Sequence, residues 1–242
     1  VIEKTPDSLD VYDPHQDYIV CANHFQGTSL GALPSNQQQI RESASVYRYQ
    51  RVQELLQQAG DNTVQQTINI LRDTRGLAGA DIGLGNEKAI NQLIAHHSIV
   101  FEPRKRLVWV STSPWQEGRF VCYDLNKVFA LRGLRTNIEI IDSTRTIAAD
   151  TLVNSTAFTG FMQFRAFKQR ILDGGVVAPD SLVASNPNYY HAYVLAGDMA
   201  VKLKDAAAAV FYQHALKLEI ATVQERTAIQ AKLKKLSSSG KR

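Results

Sequence analysis

Residues 18–25 read Tyr-Ile-Val-Cys-Ala-Asn-His-Phe and form the most informative stretch of this 242-residue chain. The first five are continuously apolar, which predicts a β-strand that is covered on both faces. A polar Asn-His pair follows, and then a loop. Because the end of a strand fixes the backbone and a loop leaves space for a ligand, this is a favoured position for functional side chains.

The sequence on either side predicts alternating strands and helices. VIEKTP (1–6) predicts a strand, and a polar turn (7–16) separates it from the stretch above. Residues 26–39 are rich in Gly, Ser, Pro and Gln and predict a loop. Helical spacing then predicts one helix from an N-cap at Ser43 to Gly60, and a second capped by Asn62 or Thr63.

The second half of the chain changes from strands to helices. Residues 93–129 contain three β-branched or aromatic runs and predict an antiparallel meander, while 138–142 (IEIID) fit a further strand or an extended connection. From about Phe158 the pattern predicts four helices and a frayed end at 237–242. We therefore expect an α+β domain at 1–155 and a helical C-terminal extension at 156–242.

The extension contains a candidate helical hairpin. Its small and aromatic residues echo the spacing of a tetratricopeptide hairpin, although only one unit is visible. Packing of an ordinary hairpin on the β-rich part explains the same pattern. The residues that carry it are Tyr193, Ala196, Gly197, Ala208, Tyr212 and Ala215.

Composition excludes several classes of protein. The chain is 44% hydrophobic and 21% charged, as in ordinary globular proteins, and no apolar run approaches the ~20 residues of a membrane helix. The net charge is +4, but the basic residues are dispersed, which argues against nucleic-acid binding. Two cysteines, Cys21 and Cys122, exclude a disulfide framework and a cysteine-rich zinc site, and their apolar surroundings predict buried thiols.

The candidate site residues lie at the end of the first stretch. The Asn23 amide can donate to a developing oxyanion, and His24 can act as a base or a ligand. Turn chemistry explains the same pair equally simply. A Cys21–His24 nucleophile pair is the third interpretation, but three residues along a strand place the two side chains on opposite faces.

Other candidates have weaker support. His96-His97 could be a metal pair, but neighbours in a strand face opposite ways, and we expect one of them in the core. His191 and His214 lie in predicted helices without a carboxylate cluster, and Asp124 fits a strand end or a helix cap. The glycine-rich residues 76–85 match neither nucleotide-binding motif and predict a flexible loop. No metal or cofactor site is predicted.

The order of these segments resembles a known family. An E-x-T-P strand (3–6), a T-N-H-F-like element (22–25), two helices and the meander are similar to the later part of penicillin acyltransferase-like proteins, over roughly residues 1–130. The helical tail resembles an extension of bacterial members. The family usually has Thr where this chain has Ala22.

The resemblance implies a fold, a mechanism and a substrate class. The fold would be the αββα sandwich of N-terminal-nucleophile hydrolases, here partial because the nucleophile segment is missing. Such an enzyme cuts its own precursor to expose an N-terminal Cys, which cleaves or transfers the acyl group of small N-acyl substrates such as acyl amino acids, β-lactam side chains or conjugated bile acids. Asn23 would be the oxyanion-hole residue, and His24 and Phe25 would line the pocket.

The resemblance leaves several points open. Val1 is not a nucleophile, so we expect the cysteine on an upstream segment or a companion chain. No arginine can be assigned among Arg104, Arg106 and Arg119. The alternative is a non-catalytic binding protein that retains the fold and docks through its helical tail. Formation of a homo-oligomer stays open, and a periplasmic or cell-envelope location is implied by resemblance alone.

Overall fold

A short antiparallel hairpin opens the fold, with β1 (Ile2–Lys4) paired to β2 (Leu9–Val11). A computed structural model describes residues 1–131, 133 and 137–239 of the chain. The sequence predicted β1 but assigned 7–16 to a turn, and this was wrong for β2. The alternation Leu-Asp-Val suits a strand once β1 lies beside it.

Residues 18–25 do not form the predicted strand. Residues 18–24 make no backbone–backbone hydrogen bond to any residue that the structure describes. Val20 is buried, but Ile19 is 50% exposed and Cys21 is exposed. The prediction of a strand covered on both faces is therefore wrong for this chain, because a strand needs a neighbouring strand to satisfy its backbone groups.

The predicted loop at 26–39 contains two helices instead, α1 (Thr28–Gly31) and α2 (Pro34–Glu42). Proline at the first position of α2 and the three glutamines after it favour a helix, which explains the error. The next two helices, α3 (Ser45–Ala59) and α4 (Val64–Leu71), are present as predicted, but the N-cap residue of α3 is Ala44 and not the predicted Ser43. Gly60 ends α3 at a φ of +63°, and Thr63 starts α4 with a capping box.

The main sheet is an antiparallel meander in the order β3-β4-β5-β6, as predicted for its first three strands. Its elements are β3 (Ile99–Glu102), β4 (Leu107–Ser111), β5 (Phe120–Asp124) and β6 (Ile141–Ile147), and α5 (Leu125–Ala130) follows β5. Trp109 pairs with Cys122 across β4 and β5, and both pack with Ile68 of α4 in one core cluster.

Five helices form the C-terminal part: α6 (Thr156–Leu172), α7 (Pro179–Ser185), α8 (Tyr190–Leu203), α9 (Ala208–Ala215) and α10 (Val223–Ser239). The sequence pattern predicted four helices and did not indicate α7. The helices α8 and α9 form the hairpin, and Gly197 lies so close to Tyr212 that a Cβ there would be 2.5 Å from the ring. The likeness to a tetratricopeptide unit stays a prediction. The predicted frayed end was wrong for 237–239, which belong to α10, and its residues 240–242 lie outside the described residues.

The glycine-rich segment packs against the C-terminal helical part, with Gly83 against Tyr189 and Gly85 against Phe161. Residues 76–85 include a short 3-10 helix (Leu77–Gly79), and Ile82 is only 2% exposed. Gly83, at a φ of +78°, packs directly against Tyr189, where a Cβ would lie 2.5 Å from the tyrosine. Contacts this close leave little room for the predicted flexibility.

Candidate functional site

Asn23, His24 and Phe25 border one cavity of about 480 Å³, a size that suits a small-molecule ligand. The hairpin strand β1, the segment that follows Val20 and the helix α2 border this open cavity. Its lining residues are Val1, Ile2, Glu3, Lys4, Cys21, Ala22, Asn23, His24, Phe25, Gln26, Ser35, Asn36 and Gln39.

The carboxamide of Asn23 is held by its oxygen. Arg48 Nη2 donates a hydrogen bond to Asn23 Oδ1 at 2.6 Å. No residue that the structure describes accepts a hydrogen bond from Asn23 Nδ2, and the side chain is exposed. The two N–H groups of Asn23 are therefore free to donate to a ligand at the cavity.

His24 is oriented by α3, the helix that also carries Arg48. Its Nδ1 lies 2.8 Å from Ser45 Oγ, and its ring packs edge-on against Tyr49. Burial lowers the pKa of His24, a shift that the carboxylate of Glu3 opposes and the cation of Arg48 reinforces. The lowered pKa favours the neutral imidazole, which is the form that can accept a proton.

The backbone of Phe25 is fixed by a buried amide. The Phe25 N–H donates to Asn36 Oδ1 at 2.8 Å, and Asn36 Nδ2 donates to the Phe25 carbonyl at 3.1 Å. Asn36 is 5% exposed and also donates to the carbonyl of Gly31. One side chain in α2 thereby supplies the pair of bonds that a neighbouring strand would otherwise give.

Two carboxylates of the β1–β2 hairpin hold the segment just after Phe25. Glu3, which is buried, accepts the backbone N–H groups of Gln26 and Gly27, each at 2.8 Å. Asp10, opposite Glu3 in the hairpin, accepts those of Ser29 and Leu30 at 2.7 and 3.0 Å. The bond from Leu30, followed by those from Ser29 and Val11, lowers the pKa of Asp10.

Cys21 and His24 border the same cavity, so the predicted placement on opposite faces is wrong. That prediction assumed a strand, and the segment is not one. Among the described residues no hydrogen bond joins the two side chains, and the ring nitrogen of His24 that is bonded contacts Ser45. The structure thus brings them to one cavity without pairing them.

The other candidates lie away from this cavity. His96 and His97 are both exposed and outside any strand, which corrects the expectation that one would be in the core. Cys122 is fully buried as predicted, and burial raises its pKa, whereas Cys21 is exposed. Asp124 is the N-cap of α5 and accepts the N–H of Asn126.

The two histidines of the helical part both stack on tyrosine rings. The ring of His214 stacks on Tyr193 at 4.2 Å. His191 stacks on Tyr190, and burial, with the nearby Lys168, lowers its pKa to about 4. In the part of the chain that the structure describes, no group of three or more His, Cys, Asp or Glu side chains is arranged for a metal ion.

Sequence reasoning did not select Arg48, Ser45 or Glu3, which contact Asn23, His24 and the segment after Phe25 respectively. Arg104, Arg106 and Arg119 do not line the cavity, and the arginine that contacts Asn23 is on α3. Ser45 and Arg48, one helical turn apart, contact His24 and Asn23. Only that i, i+3 spacing of polar residues on an otherwise amphipathic helix could have indicated them.

Comparison with known protein families gives a match in the N-terminal part of the chain. Residues 1–113 match the family model described as acyl-coenzyme A:6-aminopenicillanic acid acyl-transferase. This confirms the resemblance noted in the sequence, and the matched segment contains the whole lining of the cavity. A search of curated proteins and a search of solved structures gave no match.

The match indicates an enzyme that acts on acyl groups, and the α+β fold with two antiparallel sheets is compatible with it. It ends before β5, so β5, β6 and the whole C-terminal extension lie beyond the matched segment. Among the described helices, none combines the length and apolar character that a bilayer crossing requires.

Proposed function

We propose that this chain is the later part of a cysteine N-terminal-nucleophile enzyme that hydrolyses or transfers the acyl group of small N-acyl substrates. In this proposal Asn23 donates to the oxyanion of the intermediate. The observation that carries it is the Asn23 carboxamide, whose oxygen is tied to Arg48 while its N–H groups are free at a cavity. Preorganised amide donors of this kind stabilise tetrahedral intermediates of acyl transfer.

The proposed reaction has two steps. A cysteine thiol, exposed at a chain N-terminus, adds to the acyl carbonyl carbon, and the α-amino group of the same cysteine takes the thiol proton. The carbonyl oxygen becomes an oxyanion that accepts a hydrogen bond from Asn23 Nδ2. The C–N bond then breaks, the amine leaves with that proton, and water or an acceptor amine resolves the thioester.

The nucleophile in this scheme is neither cysteine of the sequence. Cys122 is buried in the sheet core, and Cys21 forms no hydrogen bond with His24. We place the nucleophile on an upstream segment or a companion chain that reaches the cavity beside β1. His24 and the ring of Phe25 would then contact the acyl part of the substrate.

Replacement of Asn23 by Ala tests the proposal in the enzyme that carries its N-terminal cysteine. Loss of one oxyanion donor lowers kcat by about a hundredfold or more, with little change in thermal stability because the side chain is exposed. Asn69→Ala, an exposed amide on α4, is the matched control and keeps full turnover. Unchanged turnover in Asn23→Ala would overturn the assignment.

A non-catalytic binding protein is the second candidate function. Residues 18–24, which form no backbone–backbone hydrogen bond with the described residues, and the exposed Ile2, Leu9 and Val11 on the hairpin would suit the docking of another polypeptide. This function predicts no cysteine at any processed N-terminus and no labelling by thiol-directed acylating reagents. Mass spectrometry of the purified protein after such labelling separates the two functions, with Cys21→Ser as the background control.

A further inference from the structure

Arg48 links the candidate oxyanion donor to a second part of the molecule. One guanidinium nitrogen, Nη2, donates to Asn23 Oδ1 at 2.6 Å, and the other, Nη1, donates to the backbone carbonyl of Glu87 at 2.9 Å. The Arg48 side chain is half-buried; its bond to the Glu87 carbonyl is partly buried, whereas its bond to Asn23 is exposed. Arg48 is therefore fixed at two points rather than one.

The chemistry of arginine determines how the Asn23 amide is oriented. A guanidinium can only donate hydrogen bonds, so the carboxamide must turn its oxygen towards Arg48 and its N–H groups away. Without the arginine, the amide could rotate by half a turn and present an oxygen to the oxyanion, which would repel it. A fixed orientation is what preorganisation of an oxyanion hole requires.

The acceptor of the second bond is held by the C-terminal helices. The segment 83–88, which we call the tail contact segment, forms hydrogen bonds with residues of the extension at several places. Tyr189 Oη donates to Glu87 Oε1 at 3.2 Å, and Asn186 Nδ2 donates to the Leu84 carbonyl at 2.8 Å. Asn86 Nδ2 donates to the Glu219 carbonyl at 2.9 Å, and Lys88 forms an ion pair with the Glu219 carboxylate.

Tyr190 contributes less than Tyr189 to this contact. Its hydroxyl lies 2.7 Å from Glu225 Oε1 and 3.4 Å from Glu87 Oε2. A tyrosine has a single hydroxyl proton, so the shorter bond to Glu225 takes it. Tyr189, which also packs on Gly83, is therefore the principal side chain of the extension at Glu87.

From these contacts we propose that Arg48 is a positioning residue for Asn23, and that the helical extension keeps Arg48 in place through the tail contact segment. The inference rests on the proposed function, because it needs Asn23 to be an oxyanion donor. It assigns a role to a part of the chain that lies outside the segment matched by the family.

The first test compares Arg48→Met with Arg48→Lys in the enzyme carrying its N-terminal cysteine. Methionine retains much of the apolar stem but donates nothing, so kcat falls roughly tenfold or more while KM changes by less than about threefold. Lysine restores a single donor and recovers part of kcat, and it serves as the second variant if methionine prevents folding. Equal kcat in wild type and both variants would overturn the inference.

The role of the extension is tested with two tyrosines. Tyr189→Phe removes the hydroxyl at Glu87 and lowers kcat several-fold. Tyr212→Phe is the matched control, because it removes a 2.6 Å bond to Asp198 in the same helices without contacting the tail contact segment. The control loses stability but retains kcat. If both variants lose kcat in proportion to their loss of stability, the extension is merely structural and the inference fails.

A double-mutant cycle separates this inference from the proposed function. In an Asn23→Ala background, Arg48→Met has no further effect on kcat if Arg48 acts through the amide. Additive losses would show that Arg48 acts by another route, and the inference would fail while the proposed function stands. If Asn23→Ala alone leaves kcat unchanged, the proposed function fails first and the inference with it.

Discussion

Glu117 is a fully buried carboxyl group in the turn between β4 and β5. Its Oε1 accepts from Asn91 Nδ2, and its Oε2 has no partner among the described residues. Burial and the nearby Asp150 raise the pKa of Glu117 to about 7, and the cation of Arg72 only partly offsets this. Arg72 is occupied by three backbone carbonyls, those of residues 116, 118 and 148, so it does not bond to the carboxyl group.

The raised pKa predicts how stability depends on pH. The folded state holds a proton that the unfolded state releases above its usual pKa near 4.5, so the extra stability is present at low pH and is lost as the pH rises towards 7. The loss is on the order of 3 kcal/mol at most. Urea unfolding at pH 5 and pH 8 measures it.

Glu117→Gln removes this ionisation, so its unfolding free energy falls less than that of wild type between pH 5 and 8. Glu42→Gln, an exposed side chain on α2, is the control and keeps the wild-type pH dependence. A parallel pH dependence in Glu117→Gln and wild type would contradict the raised pKa.

At the scale of elements, Asp10 and Glu3 of the hairpin β1–β2 accept hydrogen bonds from the backbone N–H groups at the start of α1. Gly27 makes this approach possible, because a Cβ there would lie 2.5 Å from Asp10 Oδ2 and 3.0 Å from Glu3 Oε2. Its φ of −62° is ordinary, so the requirement is for space rather than for an unusual backbone. The contact fixes the segment directly after the candidate site.

Gly27→Ala should therefore destabilise the protein by about 1–3 kcal/mol, since a crowded, buried position must give way. It should also lower turnover, because the carboxylates that hold residues 26–30 move. Gly31→Ala is the control, with its nearest neighbours at 3.6 Å, and should be neutral or slightly stabilising within α1. Denaturant midpoints of the two variants measure the difference. Equal midpoints would contradict the requirement for space between Gly27 and the carboxylates of Asp10 and Glu3.

On the scale of the whole molecule, residues 18–24 form no backbone–backbone hydrogen bond with any described residue, whereas the C-terminal part is built of helices. The proposed function expects a polypeptide bearing the nucleophile to cover this segment. Amide hydrogens of residues 18–24 should exchange with solvent rapidly in this chain alone, because no described group accepts from them.

Addition of the polypeptide that bears the nucleophile should slow that exchange by about tenfold or more, whereas the amides of α8 are protected in both states. Hydrogen exchange measured by mass spectrometry follows both regions in one experiment. Unchanged exchange at 18–24 in the active enzyme would show that the nucleophile segment lies elsewhere.

The sequence by itself determined the local parts of this protein. The meander, the helices α3 and α4, the Asp124 cap and the helical second half follow from period, capping residues and turn chemistry, which act over a few residues. The order of motifs also indicated the family that residues 1–113 match. Asn23, His24 and Phe25 were selected at this level, and the structure places them at one cavity.

Only the tertiary structure decided what surrounds those residues. Continuous apolar sequence at 18–22 predicted a strand, but strands depend on partners that lie far away in the chain, and no residue that the structure describes pairs with this segment. Arg48 is 25 residues from Asn23, and Glu3 is 23 residues from Gln26. Such contacts arise from the packing of whole elements, which no local pattern records, and they determine which way the Asn23 amide points.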